Sequence, residues 1–237
     1  MKSALFVSLI LLTTFIHAQD TIFWNSNGLE VNNLALAETY LVKEKVKEPN
    51  VKSILRTYSK EGKLIRERFY EDRNLKKATG IHKSWREDGS IKFSITYKKD
   101  ERNGELKSFW PDGTIKRKDI YRNGKLISGN VFNEEGERVT YYEFEERPEF
   151  PGGPTGLKKY ISENFKYPTG SATKGKIIVK FIVNKDGTVL FTEIKQGLTP
   201  VTNAAAIELI KKMPAWTPGY VDGEPVNVPL SLPLVIQ

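Results

Sequence analysis

Few residues in this sequence could do chemistry. The chain of 237 residues has two histidines, His17 and His82, and no cysteine. A Ser-His-Asp triad needs an imidazole. Disulfides, thiolate metal sites and a lipidated N-terminal cysteine all need a thiol. His82 stands beside Lys83 on an expected strand, where an exposed surface position competes with a catalytic one. Four acids, Glu143, Glu145, Glu146 and Glu149, sit close together. Paired carboxylates can cleave glycosides, but these read as a solvated linker, and no loop spacing around them suits a divalent cation. Gly152-Gly153 lacks the Lys-Ser/Thr of a phosphate-cradling loop, and Pro151 and Pro154 indicate a rigid turn. No catalytic, cofactor or metal site is assigned, and the chain is read as a non-enzyme.

The elements that carry these residues fall into blocks. Formal net charge is +8. Residues 41–141 hold 25 Lys+Arg against 16 Asp+Glu, and residues 142–237 hold 11 against 10, which marks a boundary near residue 142. A basic surface suits nucleic acid, anionic lipid or acidic glycan. Here the cations alternate with acids and aromatics, as on a solvated sheet face. Nucleic acid is not expected, because export removes the chain from it. Lys2, the apolar run Ala4 to Ile16 and the small Ala18 make residues 1–18 a secretory signal peptide, cut before Gln19. The run is shorter than the ~20 residues that span a bilayer. The expected location is the periplasm; the alternative is an inner-membrane anchor through an uncleaved N-terminus. Residues 19–50 are poorly defined and are expected to form short strands.

Residues 51–141 repeat. Gly62, Gly89, Gly113 and Gly136 recur at spacings of 27, 24 and 23, each in a turn sequence such as Glu87-Asp88-Gly89-Ser90. Between them Gly80-Ile81-His82-Lys83-Ser84-Trp85 matches Gly104-Glu105-Leu106-Lys107-Ser108-Phe109-Trp110. Each unit is two short strands, with Asn103-Gly104 and Asn123-Gly124 as tight hairpin turns. Tyr70, Tyr97 and Tyr121 are expected to stack along one face. This pattern resembles the MORN-type repeats of proteins similar to the YwqK antitoxin family, which implies an open antiparallel sheet and leaves its partner open.

Residues 142–237 have a different rhythm. A helix is expected over Thr155 to Phe165, with Leu157, Tyr160, Ile161 and Phe165 on its apolar side. Lys176 to Val183 alternates as a strand, turns at Asn184 to Gly187 and returns over Thr188 to Gln196. Thr202 or Asn203 is expected to cap a helix running to Met213, with Ala206, Ile207, Ile210 and Met213 inward. Val226 to Ile236 alternates as the last strand. This order resembles the C-terminal domain of TonB family proteins. The resemblance rests on Pro151-Gly152-Gly153, Tyr167-Pro168, Gly175 with Val179, Phe181 and Val183, Asp186-Gly187, Met213-Pro214 with Trp216, Pro218 and Gly219, and Gly223-x-Pro225-Val226-x-Val228.

The resemblance implies an α+β protein of two domains, a β-hairpin repeat sheet followed by a small α-β-β-α-β unit. It implies a protein-binding module of the cell envelope, tied to TonB-dependent outer-membrane transport. In that family an extended peptide of an outer-membrane transporter adds a strand beside the last strand. Carried over, the contact residues are Tyr167, Pro168, Val226, Asn227, Val228, Pro229, Leu230 and Ser231. The chain lacks a proline-rich spacer, which a force-coupled TonB protein needs. Pro229 and Pro233 are four apart, so both missing N–H groups face one side of the strand. We expect that side to be outward, and peptide binding there to be weak. The alternative is a structural or ligand-binding protein whose basic repeat face holds peptidoglycan or anionic lipid.

Overall fold

The computed structural model describes residues 21–26, 29–166 and 174–236. The proposed signal segment and the Tyr167-Pro168 pair lie outside the described residues.

Eleven strands form one antiparallel sheet: β1 (Thr21–Trp24), β2 (Glu30–Val31), β3 (Thr39–Glu48), β4 (Val51–Ser59), β5 (Leu64–Tyr70), β6 (Ala78–Trp85), β7 (Ile91–Lys98), β8 (Glu101–Phe109), β9 (Ile115–Arg122), β10 (Lys125–Phe132) and β11 (Arg138–Val139). From β3 onward each strand lies beside the one before it, and β1 and β2 extend the β3 edge. The poorly defined segment ahead of residue 51 is thus the start of the same sheet, with β3 a long strand.

The repeat turns have a simple cause. Gly62, Gly89, Gly113 and Gly136 adopt φ from +79° to +88°, a region that favours glycine. In two of these turns an Asp carboxylate accepts a backbone N–H two residues on, Asp88 from Ser90 and Asp112 from Thr114. The intervening two-residue turns are Lys99-Asp100 and Asn123-Gly124, left-handed at both positions. Asn103-Gly104, expected as a turn, lies within β8 instead. Its glycine faces Tyr121 across the ladder, as Gly80 faces Tyr97.

Across the sheet the tyrosines do not form a simple stack. His82 is inserted between two of them, 5.7 Å from the Tyr70 ring and 4.5 Å from the Tyr97 ring. It is 7% exposed, and its Nε2 meets the Phe69 carbonyl at 3.0 Å. Alternation along the strand predicts an exposed His82. The sheet buries it, because its neighbours on the same face are aromatic and their combined area is best removed from water.

The remaining elements are β12 (Glu145–Glu146), α1 (Gly153–Asn164), β13 (Gly175–Val183), β14 (Val189–Gln196), α2 (Pro200–Lys211), β15 (Gly219–Val221), β16 (Glu224–Val226) and β17 (Val228–Ile236). One three-stranded sheet has the order β14-β13-β17 and another β12-β15-β16. The core gathers Ile177, Val179, Phe181 and Val183 of β13, Ala206, Leu209 and Ile210 of α2, and Leu234 and Ile236 of β17. Thr199, not Thr202 or Asn203, caps α2: its hydroxyl accepts the Thr202 N–H while the Thr202 hydroxyl accepts the Thr199 N–H. Pro200 tolerates the first helical position because its missing N–H would be unpaired there. On α2 the buried apolar residues are Ala206, Leu209 and Ile210, and Ile207, expected inward, is only half-buried.

Three glycines explain the family-like motifs locally. Gly187 has φ +84°, and a Cβ there would lie 2.2 Å from the Trp216 carbonyl oxygen. The Trp216 N–H in turn donates to the Gly187 carbonyl. The Asp-Gly turn and the Trp216 segment are therefore one packed unit, with the Trp216 ring against Phe150 and Phe181. Gly152 and Gly153 both have positive φ, which turns the chain from Phe150 into α1.

Candidate functional site

The stretch expected to contact a partner is divided by the structure. Val226 ends β16, Asn227 lies between strands, and the last strand begins only at Val228. The Asn227 side chain accepts the Lys185 N–H at 2.8 Å, which ties it to the β13–β14 turn. β17 pairs with β13 without a break from Gly175↔Ile236 to Val183↔Val228. A proline turned inward would remove a ladder bond, so this unbroken pairing puts Pro229 and Pro233 with their missing N–H groups on the open side. Leu230 and Leu232 pack toward the core, while Pro229 and Ser231 are exposed. The open side of β17 therefore offers carbonyl acceptors but lacks two of its donors.

The β14-β13-β17 sheet is also approached by the start of the repeat sheet, across all three of its strands. Trp24, Leu29 and Glu30 line a cleft of about 460 Å³ with Lys180, Ile182 and the Pro229–Ser231 stretch. Ile182 is 3% exposed although it faces away from the helical core.

The two halves of the chain meet at a buried charge cluster that sequence reading missed. The turn between β15 and β16 places Asp222 against β9. The Arg117 Nε donates to Asp222 at 2.7 Å, its Nη1 to Asp119 at 3.0 Å and its Nη2 to the Tyr142 carbonyl at 2.9 Å. The Lys116 ammonium donates to the Asp222 carbonyl at 2.7 Å. Arg117 is wholly buried, with the Tyr142 and Tyr141 rings 4.7 and 5.2 Å from its guanidinium. Burial pulls the Arg117 pKa down, but the hydrogen bonds it donates to Asp222 and Asp119 outweigh it and hold the group charged above the ordinary arginine value. Burial pushes the Asp119 carboxyl up, against the pull of Arg117.

The four acids expected to form a solvated linker are all exposed, but the segment that carries them is part of this joint. Phe144, 1% exposed, packs edge-on against Phe93 among Ile95, Leu106 and Tyr121. Glu145 and Glu146 form β12, and Glu145 pairs with Arg102 at 2.7 Å. A sequence signal existed: Tyr141, Tyr142, Phe144 and the acids alternate. Their partners, Arg117 and Asp222, lie far apart in the chain, so spacing alone did not join them.

Above this joint lies a large cleft of about 840 Å³. Its sides come from β5, β6 and β7 of the repeat sheet and from Val221, Glu224 and Val226 of the β15–β16 hairpin.

With the β13–β17 ladder, the capped α2 and the hairpin in place, the comparisons with known proteins are decisive for the parts. Residues 164–235 match the family described as Gram-negative bacterial TonB protein C-terminal. Residues 78–99 and 102–123 match the MORN repeat variant. The chain thus joins a TonB-type domain to MORN-type repeats, and the sheet continues the repeat pattern on both sides of the matched residues. None of the curated proteins and none of the solved structures compared matches this chain. The TonB-type domain points to a TonB-like protein of the cell envelope. No helix among the described residues is long and apolar enough to cross a membrane.

Proposed function

We propose that this protein is a non-enzymatic, periplasmic protein-binding module, in which the repeat sheet holds a TonB-type domain in a fixed orientation toward an envelope partner. The observation that supports this reading is the Arg117–Asp222 joint. It anchors the β15–β16 hairpin of the TonB-type domain to the sheet, while β17 keeps an open side. An outer-membrane transporter is the partner class the family suggests. Strand addition at β17 would use the Pro229, Ser231 and Pro233 carbonyls as acceptors. With the two proline donors missing, affinity for an extended plug peptide is expected to be weaker than ~1 µM. A photo-crosslinking residue at Ser231 in the native envelope tests the reading. Adducts with a transporter or another envelope protein are expected. Absence of any protein adduct at Ser231 would overturn it.

The alternative, a basic repeat face that holds peptidoglycan or anionic lipid, has less support. Many of the repeat cations are already paired: Arg56 with Glu44 and Glu67, Lys60 with Glu38, Lys107 with Glu105, and Arg102 with Glu145.

A further inference from the structure

Most cations around the large cleft are committed. Lys60 pairs with Glu38 at 3.2 Å, Lys92 pairs with Glu224 at 2.6 Å, and the Lys63 ammonium donates to the Glu87 carbonyl at 2.9 Å. Arg86 donates to the Ile91 and Phe109 carbonyls. Arg66 differs. It lines the cleft and is exposed, and among the described residues its guanidinium makes neither an ion pair nor a side-chain hydrogen bond, whereas Lys63 and Arg86, which also lack a carboxylate partner, are held by backbone carbonyls.

Its neighbour on the strand makes this costly. β5 pairs with β4 as Thr57↔Arg66 and Leu55↔Arg68, so both guanidiniums project from the same face. The Arg68 Nε is buried with no hydrogen-bond partner. The acid whose charge acts on Arg66 is Glu145, and it pairs with Arg102 at 2.7 Å. The surrounding protein lowers the Arg66 pKa, and the like charge of Arg68 lowers it further. Two adjacent guanidiniums without a counter-charge are unfavourable in the folded chain, and an entering anion would relieve them.

The rest of the lining narrows the ligand. Glu38, Glu61, Glu87 and Glu224 stand on the walls, so a densely charged polyanion is repelled. Ile65, Trp85, Phe93, Val221 and Val226 supply apolar surface. The volume is that of a small-ligand site. We propose that the cleft between β5–β7 and the β15–β16 hairpin binds a carboxylate-bearing peptide segment with an adjoining apolar side chain, the carboxylate docking on Arg66 beside Arg68. The site is separate from the open side of β17, so its test stands apart from the crosslinking experiment above.

The oxyanion could in principle come from a peptide carboxylate, from free phosphate or from a phospholipid headgroup, and the assay separates them. The full chain is titrated with N-acetyl-Phe-Leu carrying a free carboxylate, with the same dipeptide as its C-terminal amide, with inorganic phosphate, and with phosphatidylglycerol vesicles, following the arginine Nε–H resonances by NMR. The free acid is expected to shift the Arg66 resonance and to bind at least about tenfold more tightly than the amide, the factor expected when a charge-assisted contact is lost. Arg66→Gln is expected to lose that discrimination. Arg66→Lys, which keeps the charge but not the fork, is expected to fall between. Without ligand, Arg66→Gln is expected to melt no lower than the parent, since it removes like-charge repulsion. Equal binding of acid and amide, discrimination that survives in both Arg66 variants, or tighter binding of phosphate or vesicles than of the free acid would each overturn the proposal.

Discussion

Asp222→Asn tests the joint between the two halves most directly. The cluster holds Lys116 and Arg117 against Asp119 and Asp222, so it is charge-balanced. Asparagine keeps the shape of the side chain and tolerates the left-handed backbone at this position, φ +52°. The substitution therefore removes a charge and little else. Arg117 is fully buried, and breaking a buried pair by removing one partner costs about 3–5 kcal/mol, because the other charge is left uncompensated. Two contacts of Arg117, to Asp119 and to the Tyr142 carbonyl, remain. This places the expected loss near the low end, about 3 kcal/mol. That is a large part of the ~5–15 kcal/mol of a typical domain.

Urea denaturation of the full chain gives the loss, and hydrogen exchange in the β15–β16 hairpin locates it at the joint. A double-mutant cycle with Arg117→Gln should return a coupling energy of about 2 kcal/mol or more, since neither substitution costs its full amount once the other is made. A loss below about 1 kcal/mol for Asp222→Asn, or additive single effects, would refute the view that this cluster holds the halves together.

Other outcomes follow from the same geometry. Gly187→Ala is expected to destabilise the TonB-type domain by about 2–4 kcal/mol in thermal or urea melts, from the positive φ and the close Trp216 carbonyl together. Burial lowers the His82 pKa, partly opposed by its contact with the Phe69 carbonyl. The unfolded chain then binds the extra proton first, so stability should fall as pH drops below the ordinary histidine value near 6.5 and level off once the folded imidazole also protonates. A pH series of urea midpoints checks this, and His82→Gln should flatten that part of the curve. Replacing Pro229 and Pro233 by valine restores two outward donors, and calorimetry should show an extended plug peptide binding at least about tenfold more tightly. Unchanged affinity would mean that those positions do not face the added strand.

Local chemistry was legible in the sequence wherever a short stretch decides its own conformation. The glycine turns at Gly62, Gly89, Gly113 and Gly136, the Asp186-Gly187 hairpin and the alternation from Val228 to Ile236 are set by φ preferences and by a period of two, which a sequence displays directly. The repeat and the TonB-type order could be read for the same reason. Errors fell where neighbours in space outweighed neighbours in sequence. His82 alternates like a surface residue, yet Tyr70 and Tyr97 from adjacent strands enclose it. Glu145 reads as linker until Arg102 and β15 are beside it. Arg117 and Asp222 are separated by most of the TonB-type domain, and only the folded chain brings them to 2.7 Å. The same holds for Arg66, one cation among many in the sequence, which the tertiary structure leaves without a counter-charge at the wall of a cleft. Sequence fixes backbone torsion and alternation because these act over a few residues. Pairing of charges, burial and cleft shape depend on distances between segments that only packing sets.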